Sequence, residues 1–459
     1  MKHFVLFILI ASSYGGFAQV KGKIISKEDG TPVGFANVSV EKTTVGVMSN
    51  NEGEFSLLIP KEHYDKKIIM SCMGFIPDTI FPPYSREELT VSLGKDVFQL
   101  EEVTVKPVNP LEILRSAFQK IPDNYFLTPT YLNAYYRETV SADSAFVKYA
   151  DAACQLYYCG YSTPYNKSIA SKKYYKINFS TWNNTSPFPQ AALSAPHQND
   201  AVKIIEARKS NNLETFSNRW GFEESLKRFD IGGGPLHVTS ADVVKLKTAM
   251  LDTTSWKYYQ FKFAGTLKGQ EVDVLKFYPK GKNKIAKWQG SIYIDKKSGA
   301  FVEFDFSISP KHLKYIVAEV EQTVKLKRRE KKQVKEAYIR RLTKTTNQRI
   351  RLKYSQLGCK WHLSYARLEN TYMNKGKAFD DIHYKTFTEL YVNEVQVNNV
   401  FPFTEEAFTT IQTNYLFQTK FKYTPSFWKN YNFPIPNKLL KAALLDLEKD
   451  ETLENQFSN

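Results

Sequence analysis

Apolar and polar positions alternate along much of the chain, and the pattern changes character near residue 106. From Val20 to about Val105 the alternating runs are short. Lys21–Ser26 reads as a strand entering the turn Glu28-Asp29-Gly30-Thr31-Pro32. In Ala36–Glu41, Ala36, Val38 and Val40 take one face while Asn37, Ser39 and Glu41 take the other. Asn50-Asn51-Glu52-Gly53 is a turn, Glu54–Pro60 the next strand, and Lys66–Cys72 and Glu88–Leu93 complete the set. Strands this short, spaced by about ten residues, predict a small β-sandwich of the seven-stranded type over residues 19–106.

Beyond it the periods lengthen. Asn109-Pro110 supplies an N-cap and a first-position proline, and Leu111, Leu114, Ala117, Phe118 and Ile121 form the apolar stripe of a helix. Strands are expected at Tyr131–Val140, Phe146–Tyr158, Tyr258–Ala264, Glu271–Tyr278, Gly290–Asp295 and Phe301–Ser309. Thr163–Ala201 reads as loop, Glu223–Arg228 as a short helix before the Gly232–Gly234 break, and Leu439–Asn459 as an amphipathic, acidic helix. The expected fold is therefore mainly β: a sandwich followed by a larger β-rich α+β domain, residues 107–459.

Composition supports this and adds a compartment. Aromatics make up 14% of the 459 residues, which suits pleated sheets. A net charge of +16 attracts polyanions, among them nucleic acid, anionic lipid and acidic polysaccharide. Lys2, the apolar run Phe4 to Ala11 and Gly16-Phe17-Ala18 have the form of a signal peptide, residues 1–18, cleaved after Ala18 to leave Gln19 first. Export makes nucleic acid a poor partner. With no Cys in or just after this segment, a lipid-anchored form is not expected. After it, no stretch reaches 18 consecutive apolar residues, so no transmembrane helix is expected.

The N-terminal landmarks fall in order: Gly30-Thr31-Pro32-Val33, Ala36-Asn37-Val38, Asn50-x-x-Gly53-x-Phe55, Ser71-Cys72-Met73-Gly74-Phe75, and the closing Leu100-Glu101-Glu102-Val103-Thr104-Val105. This resembles the carboxypeptidase regulatory-like domain common in exported Bacteroidota proteins, with Asn50 where the family usually carries Asp. The ending also resembles the lead-in to the plug of TonB-dependent receptors, but the helix at Asn109 and the length that remains do not fit a plug and large barrel. Gly290–Asp295, Gly299 and Phe301–Ser309 resemble the hairpin unit of half-barrel outer-membrane lipoprotein carriers, and Phe427–Asn432 with Pro434 and Pro436 resembles the close of uncharacterised Bacteroidota proteins. The resemblance implies a periplasmic or outer-membrane-associated protein.

Catalytic patterns were sought against that background. None of the seven histidines begins an HxxE or HExxH, so no zinc ligand set is expected. Gly160-Tyr161-Ser162-Thr163-Pro164 lacks the second glycine of a nucleophile elbow. Cys359 lies near His362, but neighbours on an extended segment do not make a dyad. Cys72, Cys154 and Cys159 complete a set with no CxxC spacing, and buried thiols are expected. No catalytic residue, cofactor or metal site is indicated. Arg137 and Glu138 are expected to point oppositely from an exposed strand, and Arg208-Lys209-Ser210 reads equally as an anion contact or an element end.

The remaining candidate is electrostatic. Lys325–Lys353 carries thirteen basic residues against Glu330 and Glu336. Lys325, Lys327, Arg328, Arg329, Arg349, Arg351 and Lys353 could contact anionic lipid or lipopolysaccharide, or could simply line a basic hairpin and a solvated strand face. The functional expectation is a non-enzymatic envelope protein binding lipid, glycan or an outer-membrane protein. The alternative is a secreted, carboxypeptidase-like hydrolase with an unrecognised site.

Overall fold

The computed structural model describes residues 17–83, 88–96, 98–99, 108–143, 145–162, 200–210, 234–281, 283, 285–313, 343–374, 382–403, 416, 423–448 and 451–458. The first seven strands are β1 Phe17–Ser26, β2 Asn37–Val40, β3 Gly46–Met48, β4 Glu54–Pro60, β5 Ile68–Ser71, β6 Asp78–Ile80 and β7 Leu89–Leu93. They form a three-stranded sheet ordered β4-β1-β7 and a four-stranded sheet ordered β3-β2-β5-β6. The alternation foreseen for β2 and β4 is observed: Val38, Val40, Phe55, Leu57 and Ile59 are buried and their neighbours are not. Together with Val20, Ile24, Ile68, Met70 and Leu93 they fill one apolar core. Gly53 has φ +77, and a Cβ there would meet the Ile24 carbonyl oxygen at 2.2 Å, so the turn after Asn50 requires glycine. The short strands β3 and β6 escaped the sequence reading because three residues are too few to show a period.

Among the described residues the larger sheet has eleven strands, all antiparallel, and is open. β8 Phe98–Gln99 and β11 Ala201–Lys209 are its terminal strands, in the order β11-β10-β9-β18-β17-β16-β15-β14-β13-β12-β8. Its other members are β9 Thr130–Ala142, β10 Ala145–Tyr158, β12 Tyr259–Leu267, β13 Val272–Pro279, β14 Trp288–Asp295, β15 Phe301–Ile308, β16 Thr343–Leu357, β17 Lys360–Asn374 and β18 Ile382–Gln396. The six strands expected here are all present, with ends displaced by one to a few residues.

One face of this sheet buries the main core. The helix Pro110–Gln119, capped by Asn109 Oδ1 accepting from the Leu111 amide at 3.1 Å, lays Leu114 and Ala117 on it. Val238, Val243, Val244, Met250 and Leu251 pack beside them against Tyr136, Ile292, Phe304, Leu352, Tyr354 and Leu390. Within this core Asp242, fully buried, accepts from the hydroxyls of Tyr158 (2.6 Å), Tyr161 (3.0 Å) and Tyr354 (2.6 Å) and from the Val244 and Lys245 amides.

The opposite face is covered by the sandwich and the C-terminal segment. Met48 and Phe35 of the sandwich meet Tyr135, Ala153, Tyr365 and Tyr391 of the sheet, joined by Phe427, Trp428, Tyr431 and Phe433. This cover corrects the expectation of an exposed strand at residues 135–138. Arg137 and Glu138 do point to opposite faces, but both are buried, at 5% and 2% exposure. The tail differs as well: Leu439–Asn459 is two helices, Lys438–Leu447 and Leu453–Ser458, and not one. Thr163–Asn199, Glu223–Arg228 and the basic residues 325–329 lie outside the described residues.

Candidate functional site

Strand register places a row of directly opposed charges across the covered face. Arg208 (β11) faces Asp151 (β10), which faces Arg137 (β9), which faces Glu389 (β18). Glu389 faces Arg367 (β17), Arg367 faces Arg351 (β16), and Arg351 faces Asp305 (β15). Opposed residues on an antiparallel pair stand about 5 Å apart, so unlike charges attract and like charges repel along such a row. The row alternates in sign until one step: Arg367 and Arg351 are both positive.

The alternating part is saturated. Arg208 Nε donates to Asp151 Oδ1 at 2.8 Å, and Tyr135 and Tyr149 hydroxyls donate to Oδ2 at 2.9 and 2.6 Å. The Arg208 guanidinium lies 3.9 Å from the Trp428 ring centroid, a cation–π contact that seats the C-terminal segment. Arg137 Nε donates to Glu389 Oε1 at 2.6 Å, and the Tyr391 hydroxyl donates to Oε2 at 2.6 Å. Burial works against the Arg137 charge, but Glu389 outweighs it and holds the guanidinium firmly protonated. These groups brace the sheet.

The like-charge step is different. A cavity of about 120 Å³ opens there, lined by Phe35, Arg349, Arg351, Arg367 and Glu369. These sheet residues form two neighbouring cross-strand pairs, Arg349 with Glu369 and Arg351 with Arg367. The Arg367 guanidinium lies between two rings, 4.6 Å from the Phe35 centroid and 4.5 Å from that of Phe387, and its Nη2 pairs with Glu369. Arg349 makes a two-point contact to Asp305, at 2.9 and 2.7 Å, and Arg351 Nη2 donates to Asp305 Oδ2 at 2.5 Å. Burial alone would raise the Asp305 carboxyl; the two arginines overcome it and hold it below the usual range. The Nε atoms of Arg351 and Arg367 are buried and have no hydrogen-bond acceptor among the described residues.

The sandwich supplies the pocket's aromatic wall. Phe35 has φ +59, a left-handed conformation that costs a non-glycine residue of the order of 1 kcal/mol or more. Its carbonyl accepts from Lys353 Nζ at 2.8 Å, and Lys353 also lies 3.7 Å from Glu303. Further joints fix the sandwich on the sheet. Gln270 accepts from the Gly74 amide and donates to the Cys72 carbonyl, and Asn432 bonds both the Leu58 amide (2.8 Å) and carbonyl (2.9 Å).

The structure therefore gathers Arg349, Arg351 and Lys353 along β16 beside Asp305 and Glu303, whereas Lys325, Lys327, Arg328 and Arg329 are outside the described residues. Sequence reading missed Phe35, Arg367, Glu369 and Phe387. The alternation Tyr365-Ala366-Arg367-Leu368-Glu369 did mark a polar face. Arg208 sits near the end of β11, the sheet's last strand, in an ion pair with Asp151.

Burial governs three of the four thiols. Burial pushes the Cys154 thiol up and the Cys159 thiol up to about 12, while Cys72 is raised chiefly by burial too. Cys359 is exposed at the β16–β17 turn, and all four cysteines are free. His362 is buried, which lowers its imidazole to about 4. Among the described residues, no group of three or more His, Cys, Asp or Glu is placed to hold a metal, and no helix is long and apolar enough to cross a membrane.

Residues 20–105 match the family described as the CarboxypepD_reg-like domain. The chain is also similar to two solved structures. One is a domain assigned to an outer membrane lipoprotein-sorting protein from Vibrio parahaemolyticus, at 10% identity and TM-score 0.24, covering 66% of this chain and 100% of that one. The other is a DUF1329 family protein from Desulfovibrio piger, at 10% identity and TM-score 0.26, covering 66% and 98%. Scores this low carry no argument about what this chain does. No curated protein matches it.

Proposed function

We propose that this is an exported envelope protein, periplasmic or outer-membrane-associated, that binds an anionic ligand and does not turn it over. Residues 107–459 are the binding body, and residues 19–106 are an accessory sandwich docked on it. The observation that carries this reading is the Arg351–Arg367 step: two opposed cations beside a cavity whose wall comes from the sandwich. Everywhere else along the row, charge is answered by charge. Export is supported by the form of residues 1–18, and the N-terminal family suits an exported Bacteroidota protein. The basic run Lys325, Lys327, Arg328 and Arg329 would add attraction to anionic lipid or an acidic outer-membrane partner.

Sedimentation of mature protein with vesicles tests this. Retention on phosphatidylglycerol-containing vesicles, absent on phosphatidylcholine alone and released by about 0.5 M salt, is the expected result, because screening shortens the reach of exposed charge. Equal retention on both vesicle types would overturn it. So would peptide or ester hydrolysis that a single point substitution abolishes.

A further inference from the structure

The row's one break in alternation is also where its donors are left over. Each guanidinium carries five N–H groups. The Nε donors of Arg208 and Arg137 are answered by Asp151 and Glu389, whereas among the described residues Arg351 and Arg367 each keep a buried Nε without a hydrogen-bond acceptor. Leaving such a donor unpaired is costly, and leaving two beside each other with like charge is more so. The surrounding charges do not close the gap. Arg137, Arg349, Arg351, Lys353 and Arg367 face Glu389, Asp305, Glu303 and Glu369, which among the described residues leaves one positive charge over.

We infer that the Arg351–Arg367 step is a binding site for one singly charged oxyanion group, a phosphodiester or a carboxylate, closed on one side by Phe35 of the sandwich. The charge follows from that single surplus. The chemistry follows from the planar forks of the arginines, which suit oxyanions in a way a lysine does not. The size follows from the cavity: about 120 Å³ holds one such group and falls well short of the roughly 300 Å³ at which drug-sized pockets begin. An acyl chain or a sugar ring attached to the group therefore stays outside. Because Phe35 stacks on Arg367 while Lys353 grips its carbonyl, the site is complete only with the sandwich in place. Its strained backbone is consistent with a clamp, where such strain is commonly found.

This inference rests on the anion-binding reading above and sharpens it to a place. Calorimetric titration of the full mature chain at low salt tests it, with glycerophosphoglycerol as the phosphodiester probe and glucuronate as the carboxylate probe. Saturable one-to-one binding of at least one probe is expected, and which probe binds names the source. Arg367→Gln should weaken that binding by about tenfold or more, Arg367→Lys by less, and Phe35→Ala measurably with the sheet arginines intact. Far-UV circular dichroism identifies any variant that fails to fold, and Arg351→Gln then serves in its place. Absence of binding by both probes, or equal affinity in wild type and the Arg367→Gln variant, overturns the site. If vesicle retention nevertheless persists in that variant, the envelope-binding reading stands and only this location falls.

Discussion

Glu389 illustrates how much a single side chain can hold. It is fully buried, accepts from Arg137 and Tyr391, and is opposed across strands by Arg137 and Arg367. Removing one partner of a buried pair strands the other charge, so Glu389→Ala should lower the unfolding free energy by about 3–5 kcal/mol in urea denaturation. A loss below about 1 kcal/mol would show that water reaches Arg137. His362 gives a pH signature. Burial lowers its folded-state imidazole to about 4 against an ordinary value near 6.5. Between those values the unfolded chain takes up the proton and the folded one does not, so stability should fall as pH drops from 6.5 toward 4. The decline from this one group is about 3 kcal/mol, and His362→Gln should flatten the profile over that window.

At the scale of elements, most sandwich strands and six strands of the larger sheet were legible from their alternation, whereas β11, β17, β18 and most of β16 were not foreseen. Nor was the charge row, and the reason is register. The β16–β17 turn brings Leu357 opposite Lys360, which would set Arg351 against Ala366 if the pairing ran on unchanged. An irregularity at Lys353–Tyr354 shifts it by one residue, bringing Arg351 opposite Arg367. The pair Arg137–Glu389 lies 252 residues apart, beyond any local signal. The edge of β4 offers a test of how the parts are joined. Asn432 bonds the Leu58 amide and carbonyl with its side-chain amide, as a neighbouring strand would. Asn432→Ala should cost about 1–3 kcal/mol and speed hydrogen exchange at the Leu58 amide. Unchanged exchange there would mean that the C-terminal segment does not protect this edge.

Taken whole, the molecule sets two β units against each other, with the Arg351–Arg367 step at the seam. The sandwich, which matches the CarboxypepD_reg-like domain, lays Phe35 over the arginines. We propose that the four basic residues at 325–329 add a second, less local attraction. Replacing Lys325, Lys327, Arg328 and Arg329 together by Gln should reduce retention on phosphatidylglycerol vesicles by at least about tenfold, since each basic residue near an anionic surface is worth about 1 kcal/mol. It should leave glycerophosphoglycerol affinity unchanged. A matching loss of probe affinity would mean that the two sites are one.

Hydrogen exchange of the mature protein, with and without saturating glycerophosphoglycerol or glucuronate, whichever binds, tests the central claim most directly. The account predicts slower exchange in one titration at the β16–β17 pairing around Arg349–Arg351 and Arg367–Glu369 and at the Phe35 turn of the sandwich. Protection confined to one unit, or found elsewhere on the chain while these amides stay unchanged, would contradict it.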